Sequence, residues 1–252
     1  MNQTLKGIIH VHSDFSTDGL HPVADLAEFA RESGFRFVGL TDHAEDLSAG
    51  GIQSLQQECI KSSDESFVMI AGLEFRCQGD IHILGIGVTE EITGRDPVIV
   101  ASHVQRLGGL AILAHPGRNG YQFPRQLWRV LDGIEIWNAG YDGRCVPPLA
   151  NLRLLQEARA ANPSVLGFGG VDLHGFDQPP GVVLQLRQNG CGIVNRETVL
   201  DDLRTGGFSI CGRYVSFDAN AASHRLSRLY LWGFRKLYEI SSAVRNRVLE
   251  ET

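Results

Sequence analysis

The sequence predicts an α/β fold in which a mostly parallel sheet closes into a TIM-like barrel, built as a single domain. Three observations carry this. Apolar runs of strand length alternate with segments of helical periodicity along the chain, the pattern of a βαβα fold. Nearly every predicted strand ends on His, Asp, Glu or Asn. A barrel gathers such ends into one ring, on the face where barrel enzymes do chemistry. Neither G-x-G-x-x-G nor a P-loop follows the first strand, where an open doubly wound sheet would carry its phosphate-binding turn. There is no internal repeat, low-complexity tract or linker, which favours one domain.

The first strand is the apolar run that opens at Gly7 and delivers His10 and His12. Residues i and i+2 of a strand face the same way, so both imidazoles aim at one point. Asp14 and Asp18 follow in a turn rich in Ser, Thr and Gly. Two neutral nitrogens with nearby carboxylates suit a divalent ion of the Zn, Mn or Fe type. Residues 22–33 predict a helix, with Val23, Leu26, Ala27, Phe29 and Ala30 at helical spacing, Pro22 in the first turn and Gly34 as the stop. Residues 35–40 make the second strand, which runs into Thr41-Asp42-His43, and the polar residues 46–63 a loop and helix.

A third strand over 67–73 ends at Glu74, and a further strand over 81–88 follows the Gly79-Asp80 turn. Residues 97–107 are helical, and the strand over 110–114 delivers His115-Pro116-Gly117. The strand over 133–137 ends at Asn138, and the helix over 147–161 is stopped by Asn162-Pro163. Residues 165–171 lead to Asp172-Leu173-His174. A strand over 182–186, a helix over 196–204, a last short strand over 208–211 and a long helix over about 221–250 complete the chain.

With 252 residues, 43% hydrophobic and 21% charged, the chain has the composition of an ordinary globular protein with a sizeable core. A net charge of −6 argues against a general polyanion-binding surface, so an anionic substrate must be attracted locally by metals and a few arginines. The five cysteines are widely spaced with no C-x-x-C pair, as in a reducing compartment. No signal-peptide core or membrane-length apolar run occurs. A cytoplasmic location and no membrane span are expected.

Collected from the strand ends and adjoining turns, the candidate metal ligands are His10, His12, Asp18, His43, Glu74, His82, His115, Asp172 and His174. Six of the nine histidines fall in this set, whereas His21, His103 and His224 scatter as structural or solvent-facing residues do. The competing reading is a buried hydrogen-bond network. Nine ligands exceed the need of one ion and, with bridging carboxylates, suffice for two or three.

These residues fall into motifs that resemble the PHP (polymerase and histidinol phosphatase) family of metal-dependent phosphoesterases. They are His10-Val11-His12 with Ser16-Thr17-Asp18-Gly19, Thr41-Asp42-His43, Gly72-Leu73-Glu74, His82, Ala114-His115-Pro116 and Asp172-Leu173-His174, in order over about residues 7–175. The resemblance implies a distorted (β/α)7 barrel holding two or three Mn, Zn or Fe ions. It also implies that His10, His12, Glu74 and Asp172 hold one ion. Glu74 would bridge to a second held by His82 and His115, and Asp18, His43 and His174 would take a third. Asp172, His174 and His115 are the expected catalytic group. The first turn has one residue more than the commonest form, so Asp14 competes with Asp18, and the last motif reads Gly-Gly-Val-Asp-Leu-His rather than Gly-Ser-Asp-Ala-His. Asp42 is expected to orient a ligating histidine.

The expected function is hydrolysis of a small phosphate ester, nucleotide- or sugar-type, by a metal-activated hydroxide. Arg118, Asn138 and Arg144 are the candidate substrate-binding residues, the arginines because guanidinium grips phosphate at two points. Asn138 is open to a helix-capping role instead. An exonuclease or oligonucleotidase of the same family is the alternative, although no basic, aromatic-interleaved stripe serves long nucleic acids. A C–N amidohydrolase is disfavoured because neither Lys6, Lys61 nor Lys236 ends a strand to carry a bridging carbamate. A non-catalytic metal-binding module is disfavoured because no ligand is missing. The basic amphipathic helix near the C-terminus is expected to pack on the barrel, the alternatives being to lie on a membrane surface or to join a partner, such as a second copy in a homo-oligomer.

Overall fold

The computed structural model describes residues 5–176, 180–187, 194–220 and 233. The helix expected over 221–250 lies, apart from Gly233, outside the described residues.

Two six-stranded sheets carry the fold. One runs in the order β12 (Ser216–Asp218), β11 (Phe208–Gly212), β10 (Val182–Leu186), β1 (Leu5–Val11), β2 (Phe37–Leu40), β4 (Val68–Ile70). The other runs β3 (Asp42–His43), β5 (Gly72–Arg76), β6 (His82–Ile86), β7 (Leu110–Leu113), β8 (Gly133–Asn138), β9 (Leu166–Gly170). β2, β7, β8 and β9 are buried at every residue, which is why they read as continuous apolar runs. β10 alternates between buried and half-buried, so one of its faces is open.

The helices are α1 (Val23–Glu32), α2 (Ala49–Lys61), α3 (Pro97–Arg106), α4 (Ala139–Asp142), α5 (Leu149–Ala161) and α6 (Arg196–Thr205). Their starts follow local chemistry. The Asp96 carboxylate accepts from the Val98 and Ile99 amides at 2.8 and 3.2 Å, and Pro97 gives up no hydrogen bond in the first turn of α3. α1 buries Val23, Leu26, Ala27 and Ala30, the stripe its spacing predicts.

Three expectations change. The sheets are mixed rather than mostly parallel: β5, β6 and β7 are antiparallel neighbours, as are β1, β10, β11 and β12. The link between β5 and β6 is only Cys77–Ile81, far too short for the crossover that a parallel pair needs. The third predicted strand divides at Ala71, its first half pairing with β2 and its second with β3. β11 is not the last strand, because Ser216–Asp218 folds back on it as β12.

The ladders also leave two open sheets where one closed ring was expected. They are nevertheless tied together. β2 runs into β3 across Thr41 alone, and β4 into β5 across Ala71 alone. The chain leaving β9 returns to β1 through Val171 N–H to Ile9 O at 3.1 Å, Leu173 N–H to His10 O at 3.1 Å and His12 N–H to Leu173 O at 2.9 Å. Because β6 is antiparallel, its first residue, His82, comes to the same end of the sheet as the last residues of the parallel strands.

Candidate metal centre

The cluster begins with a distortion. The pairing of β1 with β2 slips between Ile9 and Val11, leaving His10 as an extra residue with φ of 63°. Simple strand alternation therefore does not aim His10; a bulge does. His115 and Asp172 also have positive φ, 23° and 52°. Non-glycine residues hold that conformation at a cost of order 1–3 kcal/mol, and it persists where the surroundings demand it. Three of the predicted ligands are such residues.

Glu74 stands at the centre, with 1% of its surface exposed. Its Oε2 lies 3.4 Å from His10 Nε2, His12 Nε2 and His43 Nδ1, and its Oε1 lies 2.6 Å from His82 Nδ1 and 3.1 Å from His115 Nε2. Asp172 Oδ1 approaches the same histidines, 3.2 Å from His10 Nε2 and 3.3 Å from His12 Nε2. Burial opposes charge on Glu74, yet His10, His115 and His82 hold its carboxyl well below the usual range. Burial also opposes charge on His10, but Asp172, Glu135 and Glu74 prevail and raise its pKa well above the ordinary imidazole value. His12, nearly as deep, is pushed down by burial. The carboxylates that raise the His10 pKa, Asp172, Glu135 and Glu74, also favour a cation among these donors.

Four groups of donor atoms gather within 4.8 Å of one another: His10, His12 and Glu74; Glu74, His82 and His115; His10, His115 and Asp172; and His12, Asp18, His43 and His174. All nine predicted ligands are in them. Neutral imidazole and carboxylate are the donors that Zn, Mn and Fe prefer. Two of the nitrogens, His12 Nε2 and His82 Nε2, are buried and make no well-aligned hydrogen bond among the described residues. Such orphans are costly in a protein interior, and on His12 an ion would remove the cost. The residues fit divalent metal.

In the first turn the structure places Asp18, and not Asp14, beside other donors. Asp18 Oδ2 sits 3.3 Å from both His43 Nε2 and His174 Nε2, whereas Asp14, exposed as Asp18 is, belongs to none of the donor groups. We expect Asp18→Ala to lower turnover at least tenfold more than Asp14→Ala, measured as kcat/KM on metal-loaded protein. The reverse order would mean that the loop's register is misread.

Other predicted residues take different places. Asn138 adopts the capping alternative: fully buried, its Oδ1 accepts from the Gly140 and Tyr141 amides at 3.0 and 3.1 Å. Among the described residues Asp42 hydrogen-bonds serines rather than a ligating imidazole. It accepts from Ser13 N–H, Ser13 Oγ and Ser16 Oγ at 2.7–2.8 Å, and Ser16 Oγ in turn accepts from His43 N–H and lies 3.4 Å from His12 Nδ1. Arg118 stands at the mouth, donating to Asp80 at 3.0 Å and to the Tyr141 hydroxyl at 2.9 Å. Arg144 lines a cavity of about 240 Å³ together with Asp172 and His174. His21 stacks on Phe176 and His103 lies on α3, both apart from the cluster, and His224 lies outside the described residues.

Glu135 is one residue of the site that sequence reasoning missed. Wholly buried, it accepts from His10 Nδ1 at 2.8 Å, the His115 backbone N–H at 2.8 Å and Asn138 Nδ2 at 2.9 Å. It thereby fixes which nitrogen of His10 faces the donors. Gly170 makes room for it, since a Cβ there would fall 1.7 Å from Glu135 Oε1. The available signal was a lone carboxylate inside the apolar run Gly133-Ile134-Glu135-Ile136-Trp137. Asp80 was missed too: it joins Arg118 to the far side of His82, whose Nε2 is 3.6 Å from Asp80 Oδ1.

Comparison with known proteins accords with this geometry. No protein of curated function matches the chain. Among solved structures it is similar to a two-domain protein from Bacteroides vulgatus ATCC 8482 containing a predicted PHP-like metal-dependent phosphoesterase. The identity is 17% and the TM-score 0.60, over 84% of this chain and 65% of that one. It is similar to PsfC from Pseudomonas syringae PB-5123, with 14% identity and a TM-score of 0.59 over 95% and 99% of the two chains. A candidate metal-dependent phosphoesterase from Bifidobacterium adolescentis ATCC 15703 gives 20% identity and a TM-score of 0.52 over 79% and 96%. At such identities the likeness speaks for the fold. The sequence itself matches the PHP domain model over residues 9–143, more than half of its length. With that match, a mixed α/β fold of PHP-like metal-dependent phosphoesterases and a histidine-rich potential metal site, the chain belongs to the PHP domain family.

Proposed function

We propose that the protein hydrolyses a small phosphate ester, of nucleotide or sugar type, with two or three divalent Mn, Zn or Fe ions. The observation that carries this is the convergence of four donor groups around Glu74 and His10 within a PHP domain. His10, His12, Glu74 and Asp172 would hold one ion, Glu74, His82 and His115 a second, and Asp18, His43 and His174 a third. Bound divalent ions supply Lewis-acid polarisation of the phosphoryl oxygens and a water acidic enough to ionise near neutral pH.

The chain's own residues shape the rest. Asp18, His43 and His174 are the least buried donors, so the ester enters from their side. Arg118, steadied by Asp80 and Tyr141, grips phosphate from the His115 side. A protein nucleophile is poorly served. Ser13 and Ser16 commit their hydroxyls to Asp42, and burial pushes the Cys77 thiol up to about 12. Water is then the better attacking group. We also propose that both sheets form one distorted barrel and one domain, which the backbone bonds from Val171 and Leu173 back to β1 support.

Two measurements test this. Elemental analysis after metal-replete expression should find two to three transition-metal equivalents per chain, and under one would overturn the multinuclear reading. Metal-loaded protein should release phosphate from mononucleotides or sugar phosphates, with little loss at moderate salt. Preference for long single-stranded RNA or DNA, lost at moderate salt, would favour nuclease activity instead.

A further inference from the structure

Tyr141 stands beside the donor cluster without belonging to it. It lies on α4, with its ring centre 4.7 Å from that of His115 and 51% of the residue exposed. Its backbone is fixed from behind. The Tyr141 amide donates to Asn138 Oδ1 at 3.1 Å, and Asn138 Nδ2 donates at 2.9 Å to Glu135, the carboxylate that also holds His10. Asp142, the next residue, accepts from the Asn138 amide at 2.8 Å and from Asn151 Nδ2 at 2.9 Å. This short helix is therefore tied to the cluster itself, and it sets the phenol against His115.

A phenolic hydroxyl has one hydrogen to give and an oxygen that accepts. Arg118 Nη1 donates to the Tyr141 oxygen at 2.9 Å, which turns the O–H hydrogen away from the guanidinium. Among the described residues no group accepts that hydrogen. A cationic donor on the oxygen also polarises the O–H and makes it a better donor in its turn. Arg118 is itself held, its Nε donating to Asp80 Oδ2 at 3.0 Å. Asp80 has a positive φ of 54°, a conformation that a non-glycine residue keeps where its surroundings demand it. The hydroxyl and the guanidinium thus form one preset pair of donors on the His115 side of the cluster.

We propose that Tyr141 is a substrate-binding residue. With its oxygen occupied by Arg118, its O–H donates to a non-bridging phosphoryl oxygen of the ester, beside the oxygen that Arg118 grips. The proposal deepens the phosphoesterase reading and rests on it for the presence of a phosphoryl group. Tyr141 then does more than steady Arg118, because the arginine also orients the phenol. Nothing in the sequence singled out Tyr141, since a tyrosine after a strand end is an ordinary surface residue until Arg118 and His115 come to meet it.

Calorimetric titration of metal-loaded protein with inorganic phosphate tests this, using the parent, Tyr141→Phe, Arg118→Ala and the double variant. Phenylalanine keeps the ring against His115 and removes the hydroxyl alone. Tyr141→Phe should bind phosphate about tenfold more weakly, the worth of one hydrogen bond to a charged acceptor, and should keep the parent's metal content by elemental analysis. In the Arg118→Ala background the same substitution should still weaken binding by about threefold or more, because the phenol meets phosphate itself. With an ester that is turned over, kcat/KM should fall in step with phosphate affinity. Unchanged phosphate affinity in Tyr141→Phe would overturn the proposal. An effect that vanishes without Arg118 would overturn it too, leaving Tyr141 a prop for the arginine, and loss of metal in Tyr141→Phe would make its role structural. If no ester is hydrolysed, the phosphoesterase reading fails by itself. The phosphate titration still decides Tyr141: weaker binding in both backgrounds supports it, and a parent that binds no phosphate overturns it.

Discussion

Glu74→Gln is expected to reduce turnover by at least about 10³-fold, the equivalent of the several kcal/mol that metal stabilisation of a transition state supplies. The amide keeps the volume and removes the charge. Among the described residues none approaches as many of the predicted ligands: His10, His12, His43, His82 and His115 all lie within 3.4 Å of its carboxylate oxygens. Its loss takes one anionic donor from two of the four groups at once. Elemental analysis of the purified variant should therefore show at least one equivalent fewer than the parent. A folded Glu74→Gln protein with undiminished metal and turnover would remove the central carboxylate from the mechanism.

The second large effect is expected at a residue outside the ligand set. Glu135→Ala leaves three buried donors without an acceptor: His10 Nδ1, the His115 amide and Asn138 Nδ2. Breaking a buried charged network in this way costs about 3–5 kcal/mol, and Tm should fall by roughly 10 °C. Glu135→Gln keeps the shape and separates the two roles. It should fold, yet bind metal about 10–100-fold more weakly, as when the group behind a ligating histidine is altered. Competition with a chromophoric chelator measures this. Unchanged affinity in Glu135→Gln would leave Glu135 a merely structural residue.

Much of the chain could be read from its order of residues. Helix α1 follows from an apolar stripe with Pro22 before it and Gly34 after it, and β7 from a four-residue apolar run. The candidate ligands were legible because polar residues at the ends of apolar strands are few, and because His10, His12, His43 and His115 sit in short motifs. Local periodicity and residue type suffice for such features, since each depends on neighbours within a turn or a strand.

The remainder depends on partners far away in sequence. Strand direction at β6 follows from a five-residue link, but which strands it joins follows from packing. His10 reaches the cluster through a bulge against β2 and a carboxylate 125 residues away, not through strand alternation. Asp18, and not Asp14, lies among the donors because His43 and His174, from two other segments, come to meet it. Lys6, Arg144 and Arg213 line one cavity only once β1, the turn after β11 and the loop after α4 are side by side. Side-chain chemistry is a local property that one residue carries wherever it sits. Convergence is a property of the packed chain, since backbone pairing and burial set which distant groups meet and which nitrogen faces the donors.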